Sequence, residues 1–208
     1  MLTTEIILSF YGIATLLALA PGPDNLFVLM QSALWGRRSG LIVILGLCTG
    51  VLGHTLLVAV GLATLLAASQ TAFFVLKLLG AAYLLYLAWV AFRATPNSNM
   101  GDAPPRLSSG QLYRRGVLMS LSNPKLSLFF LAFLPQFASP ARGAIWPQIL
   151  SLGLLFILAS LLVFSLIAFF AGSIGERLQR SARAQLLLNR TAGVVFLGLA
   201  LRLLGEQR

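Results

Sequence analysis

Residues 40–67 read GLIVILGLCTGVLGHTLLVAVGLATLLA, 28 consecutive positions without an Asp, Glu, Lys or Arg. As a helix this stretch is about 42 Å long, enough to cross a ~30 Å hydrocarbon core with some tilt. Five more apolar stretches flank it, at 6–34, 72–92, 116–137, 147–172 and 185–204, and the six take up most of the 208 residues. The chain is 58% hydrophobic and 10% charged, with a mean hydropathy of +0.90. A soluble domain averages about 45–50% apolar and 25% charged. A water-soluble globular domain is therefore excluded, and no room is left for a separate soluble one. Each stretch should be helical, because an unpaired backbone amide in lipid costs several kcal/mol. The expected fold is all-α: a polytopic membrane bundle of six transmembrane helices in one domain, 1–208.

The net charge of +10 would ordinarily raise nucleic acid as a partner. Its placement argues against that, because the arginines lie in short loops between apolar stretches. Ten fall on one side (Arg37, Arg38, Arg93, Arg106, Arg114, Arg115, Arg177, Arg180, Arg183, Arg190) and three on the other (Arg142, Arg202, Arg208). The positive-inside rule makes the first side cytoplasmic and puts both termini outside. Ala18-Leu19-Ala20 has the look of a signal-peptidase site, but no Lys or Arg precedes the apolar run and Pro21 would follow the cut. A retained first span is expected. The lone Cys48 has no partner for an internal disulfide and reads as a small packing residue. The stretch 95–112, rich in Pro, Gly and Ser, reads as a flexible linker.

Two spans are interrupted, the first at Pro21-Gly22-Pro23 and the fourth at Asn123-Pro124. Pro23-Asp24 and Pro124-Lys125 stand 101 residues apart. A second parallel runs at an offset of 113, between 76–84 (LKLLGAAYL) and 189–197 (NRTAGVVFL), aligning basic, glycine, aromatic and leucine positions. Three spans per half would make the halves inverted, an arrangement many secondary transporters use. The repeats expected are 1–93 and 114–208, with the linker at 94–113.

A charge near the bilayer centre costs ~2.5–3.5 kcal/mol on insertion scales, which makes it a functional candidate. Asp24 lies 13 residues from Arg37 and Lys125 lies 10 from Arg115, depths of about 20 and 15 Å along a helix. His54 is midway along its span, 16 residues from both Arg38 and Gln70, whereas Lys77 is only seven from Gln70 and can snorkel outward. Pro21, Pro23 and Pro124 lack amide protons, so carbonyls near Leu17, Leu19 and Ser120 lose their helical donors. The freed carbonyls and Asp24 suit an ammonium, while Lys125 and the amides of each restarted helix suit a carboxylate. Pro21, Gly22, Pro23, Asp24, Asn25, Asn123, Pro124 and Lys125 are thus candidates to bind a small zwitterionic amino acid. Mutual neutralisation of Asp24 and Lys125 across a kinked bundle is the competing reading. His54 is a candidate for proton coupling, against a plain hydrogen-bonding role. Gly46, Gly50, Gly53 and Gly80 read as helix-packing positions.

The chain resembles the LysE/RhtB family of amino-acid exporters (homoserine, threonine and lysine efflux type) across nearly its whole length. The matching stretches are 20–25 (APGPDN), 46–54, 76–84, Asn123-Pro124-Lys125 and 129–137 with its Leu134-Pro135-Gln136-Phe137. The resemblance implies proton-driven export of amino acids or close derivatives across a bacterial inner membrane, by a homodimer. One departure is Asp24, where many relatives have asparagine. No catalytic residue, cofactor or metal is expected. A channel for small solutes is the main alternative, and an intramembrane enzyme a weaker one, since neither a Gly-x-Ser-Gly nor a His-Glu-x-x-His motif is present.

Overall fold

The computed structural model describes residues 2–68, 70–94, 106–171 and 181–205. All regular structure among them is helical. The helices are α1 (Thr4–Leu19), α2 (Pro23–Trp35), α3 (Arg37–Ala68), α4 (Gln70–Arg93), α5 (Ser109–Ser122), α6 (Pro124–Leu128), α7 (Ile145–Phe169) and α8 (Ala182–Gly205). The Lys77 side chain, the linker at 95–105, and Arg177, Arg180 and Arg208 lie outside the described residues.

Both interruptions are real bends. α1 and α2 meet at 62°, and α5 meets the segment after Asn123 at 48°. Each restarted helix opens with proline in its first turn, Pro23 after Gly22 and Pro124 after Asn123, where a missing amide proton removes no helical bond. α3 over residues 37–61 and α7 are each long and apolar enough to cross a bilayer, and each bent pair passes the same test when read as one broken span. α4 and α8 are 24 residues each. The chain is a polytopic helical membrane protein.

One boundary differs from the sequence reading. α5 starts at Ser109, inside the stretch assigned to the linker, because Ser108 and Gln111 form a capping box. The Ser108 hydroxyl accepts from the Gln111 amide at 3.3 Å, and the Gln111 side chain accepts from the Ser108 amide at 2.9 Å. Two terminal amides are thereby satisfied.

Lipid tails supply no hydrophobic force between helices, so close backbone approach must do the holding. α3 and α5 touch through glycine: a methyl on Gly46 would strike the Tyr113 carbonyl and lie 3.0 Å from the Gly116 Cα. Gly50 faces Ser120, and Gly53 faces Leu121. Gly80 on α4 faces Ala132, and Gly153 on α7 faces Thr55. The principal packing pairs are α3 with α5, α4 with α8, α3 with α7, α2 with α3, and α1 with α7.

Beyond α6 the helix widens into a π turn (Phe129–Phe133) and then tightens into a 3-10 turn (Leu134–Phe137). The amide of Leu134 donates to the Phe129 carbonyl. Pro135 cannot donate to Leu131 and would crowd its carbonyl, which accounts for the change of pitch. The widened turn aims Phe129, Phe130 and Phe133 inward against Phe10, Phe137 and Phe156, all at most 6% exposed.

Candidate functional site

The two helix breaks lie against each other, and each is completed by residues from elsewhere in the chain. At the end of α1, Ala20 closes the turn by donating to the Leu16 carbonyl at 3.0 Å. Pro21 leaves the Leu17 carbonyl without its helical donor. Lys125 supplies one: its Nζ donates to the oxygens of Leu17 at 3.3 Å and Ala20 at 3.2 Å. An ammonium at a helix C-terminus also opposes the macrodipole favourably, by ~0.3–2 kcal/mol. Asn25, one turn into α2, reaches back so that its Nδ2 donates to the Ala18 carbonyl at 2.7 Å.

Asn123 joins the two halves. Its Oδ1 accepts from the Lys125 amide at 3.0 Å, capping α6, and its Nδ2 donates to Asp24 Oδ2 at 2.7 Å. Asp24 in turn occupies the first turn of α2, where the helix dipole favours an anion. Asp24 and Lys125 are both buried and both line one cavity, yet among the described residues they form no direct ion pair; Asn123 links the Asp24 carboxylate to the Lys125 backbone amide. Of the carbonyls that the sequence offered to a substrate ammonium, that of Leu17 is held by Lys125 itself, because α6 starts beside the end of α1.

The polar groups here are incompletely matched. An ammonium has three donors; two of those on Lys125 are used, and the third has no protein partner among the described residues. Asp24 Oδ1 and Asn25 Oδ1 are buried acceptors without a partner. Unmatched buried polar atoms cost ~1–3 kcal/mol each and call for an explanation such as a ligand or water.

The break between α5 and α6 is completed by His54. Pro124 deprives the Ser120 carbonyl of its helical donor, and that oxygen accepts from the Asn123 amide at 3.2 Å and from His54 Nε2 at 3.1 Å. A carbonyl only accepts, so Nε2 carries the proton. The imidazole also stacks on Phe130, with centroids 5.7 Å apart and 30° between planes. His54 therefore touches both the α5 break and the phenylalanine cluster. It does not touch Asp24 or Lys125 by any hydrogen bond among the described residues.

Two cavities meet at Lys125. One is closed, bounded by Asp24, Lys125, Ser160 and Phe156, with room for about one water molecule. The other is about 270 Å³ and borders Gly22, Asn123 and Lys125 on one side and α4 and α8 on the other. Tyr83, Asn189 and Phe196 line it and were not among the residues the sequence marked as binding. The signal for two of them was the repeat at offset 113, which pairs Tyr83 with Phe196.

Comparison with known proteins follows the same lines. The family model for LysE type translocators matches residues 15–207. A homoserine/homoserine lactone efflux protein of Salmonella typhimurium is 34% identical over 184 residues, 88% of each chain. An uncharacterized membrane protein of Vibrio cholerae is 33% identical over 191 residues, 92% of each chain. A leucine efflux protein of Enterobacter sp. (strain 638) is 29% identical over 194 residues, 91% of this chain and 90% of its own. No solved structure matches. With a family match of this extent laid over a bundle whose two broken helices cross at Lys125, the chain belongs to the LysE type translocator family.

Proposed function

We propose that this protein is a secondary transporter exporting a small zwitterionic amino acid, or a close derivative, from the cytoplasm under the proton gradient. The observation that carries this reading is the cradle left by Gly22. A Cβ at that position would lie 3.2 Å from Lys125 Nζ, 3.8 Å from Asn25 Oδ1 and 3.9 Å from the Ala20 carbonyl oxygen. An ammonium with a spare donor and an acceptor without a partner thus lie within 4 Å of one point beside Gly22. A carboxylate fits the first and an α-ammonium the second, which is the recognition set of an amino-acid backbone. Asp24 Oδ1 is a second buried acceptor without a partner, in a small cavity that Lys125 also lines. Efflux proteins named for homoserine and for leucine among the relatives favour the same substrate class.

In this reading the six helical units form two inverted repeats, 1–93 and 114–208, crossing the inner membrane six times with both termini outside. Exchange of the halves maps the α1–α7 contact onto α5–α3, and maps α3–α7 and α4–α8 onto themselves, as alternating access about a central site requires. The 270 Å³ cavity lies in the half of the bundle that carries Arg93 and Arg190, so it faces the cytoplasm, while the phenylalanine cluster closes the outer half. His54, bonded to one break and stacked on that cluster, is the proton-coupling residue. The family resemblance adds a homodimer. The test is uptake of a labelled amino-acid panel into inverted vesicles with and without an uncoupler. Uncoupler-sensitive accumulation of at least one member is expected. Accumulation of none overturns amino-acid export, and uptake unaffected by the uncoupler marks a channel.

A further inference from the structure

The cavity between the helix breaks and the α4–α8 pair has a wall chemistry of its own, separate from the backbone-binding cradle at its edge. Lys125 is the one formal charge among the described residues that line it. The wall opposite is built from Leu87, Val90 and Ala91 on α4 and from Ala192 and Phe196 on α8, with Asn189 and the Tyr83 ring adding weak polarity. Tyr83 and Phe196 are the two aromatic positions that coincide in the repeat at offset 113, so each half supplies one ring to the same cavity. A cavity of about 270 Å³ falls just below the roughly 300–1,000 Å³ of drug-sized sites, a size suited to one amino acid.

We infer that this cavity is the side-chain pocket of the transporter, and that it accepts neutral, largely apolar side chains and rejects cationic ones. The inference rests on the export reading above. With its carboxylate drawn to Lys125 beside Gly22, an amino acid has its side chain directed among Leu87, Ala91 and Phe196. A lysine or arginine side chain placed there meets no carboxylate and is repelled by the ammonium at the floor. An apolar or hydroxyl-bearing side chain meets matching surface, with the amide of Asn189 available to a hydroxyl. The one acid near the site, Asp24, lines the closed cavity on the other side of Lys125 and does not border this one.

The test measures uptake of labelled L-leucine and L-homoserine into inverted vesicles, with unlabelled L-leucine and L-lysine as competitors. The wild type is expected to need about tenfold or more lysine than leucine for equal inhibition. An acid placed in the wall, as Leu87→Asp or independently as Ala91→Asp, should narrow that ratio severalfold, and Phe196→Ala should weaken leucine more than homoserine. Membrane abundance of each variant is measured by immunoblot, and either aspartate variant alone carries the comparison. Lysine competing as well as leucine in the wild type, or a ratio unmoved in an inserted aspartate variant, overturns the pocket assignment and leaves amino-acid export standing. A wild type that accumulates no amino acid of the wider panel overturns export, and this assignment with it.

Discussion

The ammonium of Lys125 lies 3.3 Å from the carbonyl oxygen of Leu17, the acceptor that Pro21 leaves without its helical donor. A residue of the second broken helix thus caps the first. The consequence is mechanical as well as electrostatic. A carboxylate that draws Nζ towards Gly22 competes with the two carbonyl bonds holding α1 to α6, so binding and the geometry of the crossing are coupled.

Asn123 should be the most sensitive neutral residue at the crossing. Asn123→Ala removes the α6 cap, worth ~0.5–2 kcal/mol, and strands a buried Asp24 oxygen at ~1–3 kcal/mol. Asn123→Asp keeps the cap but sets two carboxylates face to face, across what is now a 2.7 Å hydrogen bond. Both variants should melt earlier than wild type in detergent. The aspartate variant should recover as pH falls and the alanine variant should not.

Gly46→Ala should disrupt the α3–α5 contact, since its methyl meets backbone on the facing helix. Gly53→Ala meets only Leu121 Cδ2, at 3.1 Å, the end of a flexible side chain. Detergent thermal stability should drop markedly for the first and little for the second. Equal losses would mean that the crossing is not held by backbone approach.

For His54, glutamine keeps a donor for the Ser120 carbonyl while removing the imidazole. His54→Gln should insert normally and lose most of the uncoupler-sensitive transport. His54→Leu should also lose abundance, because the Ser120 carbonyl keeps only the Asn123 amide. Uncoupler-sensitive transport unchanged in His54→Gln assigns the histidine to packing alone.

Much of this was legible beforehand, and the remainder has physical reasons for being hidden. Long apolar runs and paired proline breaks are local signals, so the helices and both bends could be read directly. The orphaned carbonyls of Leu17 and Ser120 followed from the missing proline amide. Which groups repair them did not, because Lys125 and Leu17 are 108 residues apart and His54 and Ser120 are 66 apart. The sequence places Asp24 and Lys125 facing a common substrate or each other; the fold ties the Asp24 carboxylate to Asn123, which also caps the Lys125 amide, a role its turn-like position beside Pro124 does not suggest. The start of α5 was missed although Ser108 and Gln111 have capping-box spacing, because the Pro- and Gly-rich residues before them dominated the window. Tyr83 and Phe196 were noticed as a repeat and not as a wall, since a shared cavity appears only when α4 packs on α8.

Topology is open to a direct check. Reporter fusions after Met100 and at Arg208 should give opposite compartment signals, cytoplasmic for the first and external for the second. Matching signals would mean that one helical unit does not cross, which removes the inverted arrangement.

The central claim is that Lys125 receives the substrate's carboxylate, and export by the Asp24→Asn, Lys125→Met double variant tests it most directly. Lys125→Met alone strands Asp24 and the two carbonyls, and breaking a buried charge arrangement typically costs ~3–5 kcal/mol, so low abundance is expected of that single variant. The double variant removes both charges and should regain abundance in the membrane. Asp24→Asn alone should remain able to export, with altered substrate preference. In inverted vesicles normalised for protein, the double variant should accumulate no labelled amino acid from the panel that the wild type takes up. Accumulation at the wild-type rate would contradict the claim and leave Asp24 and Lys125 as mutually neutralising charges.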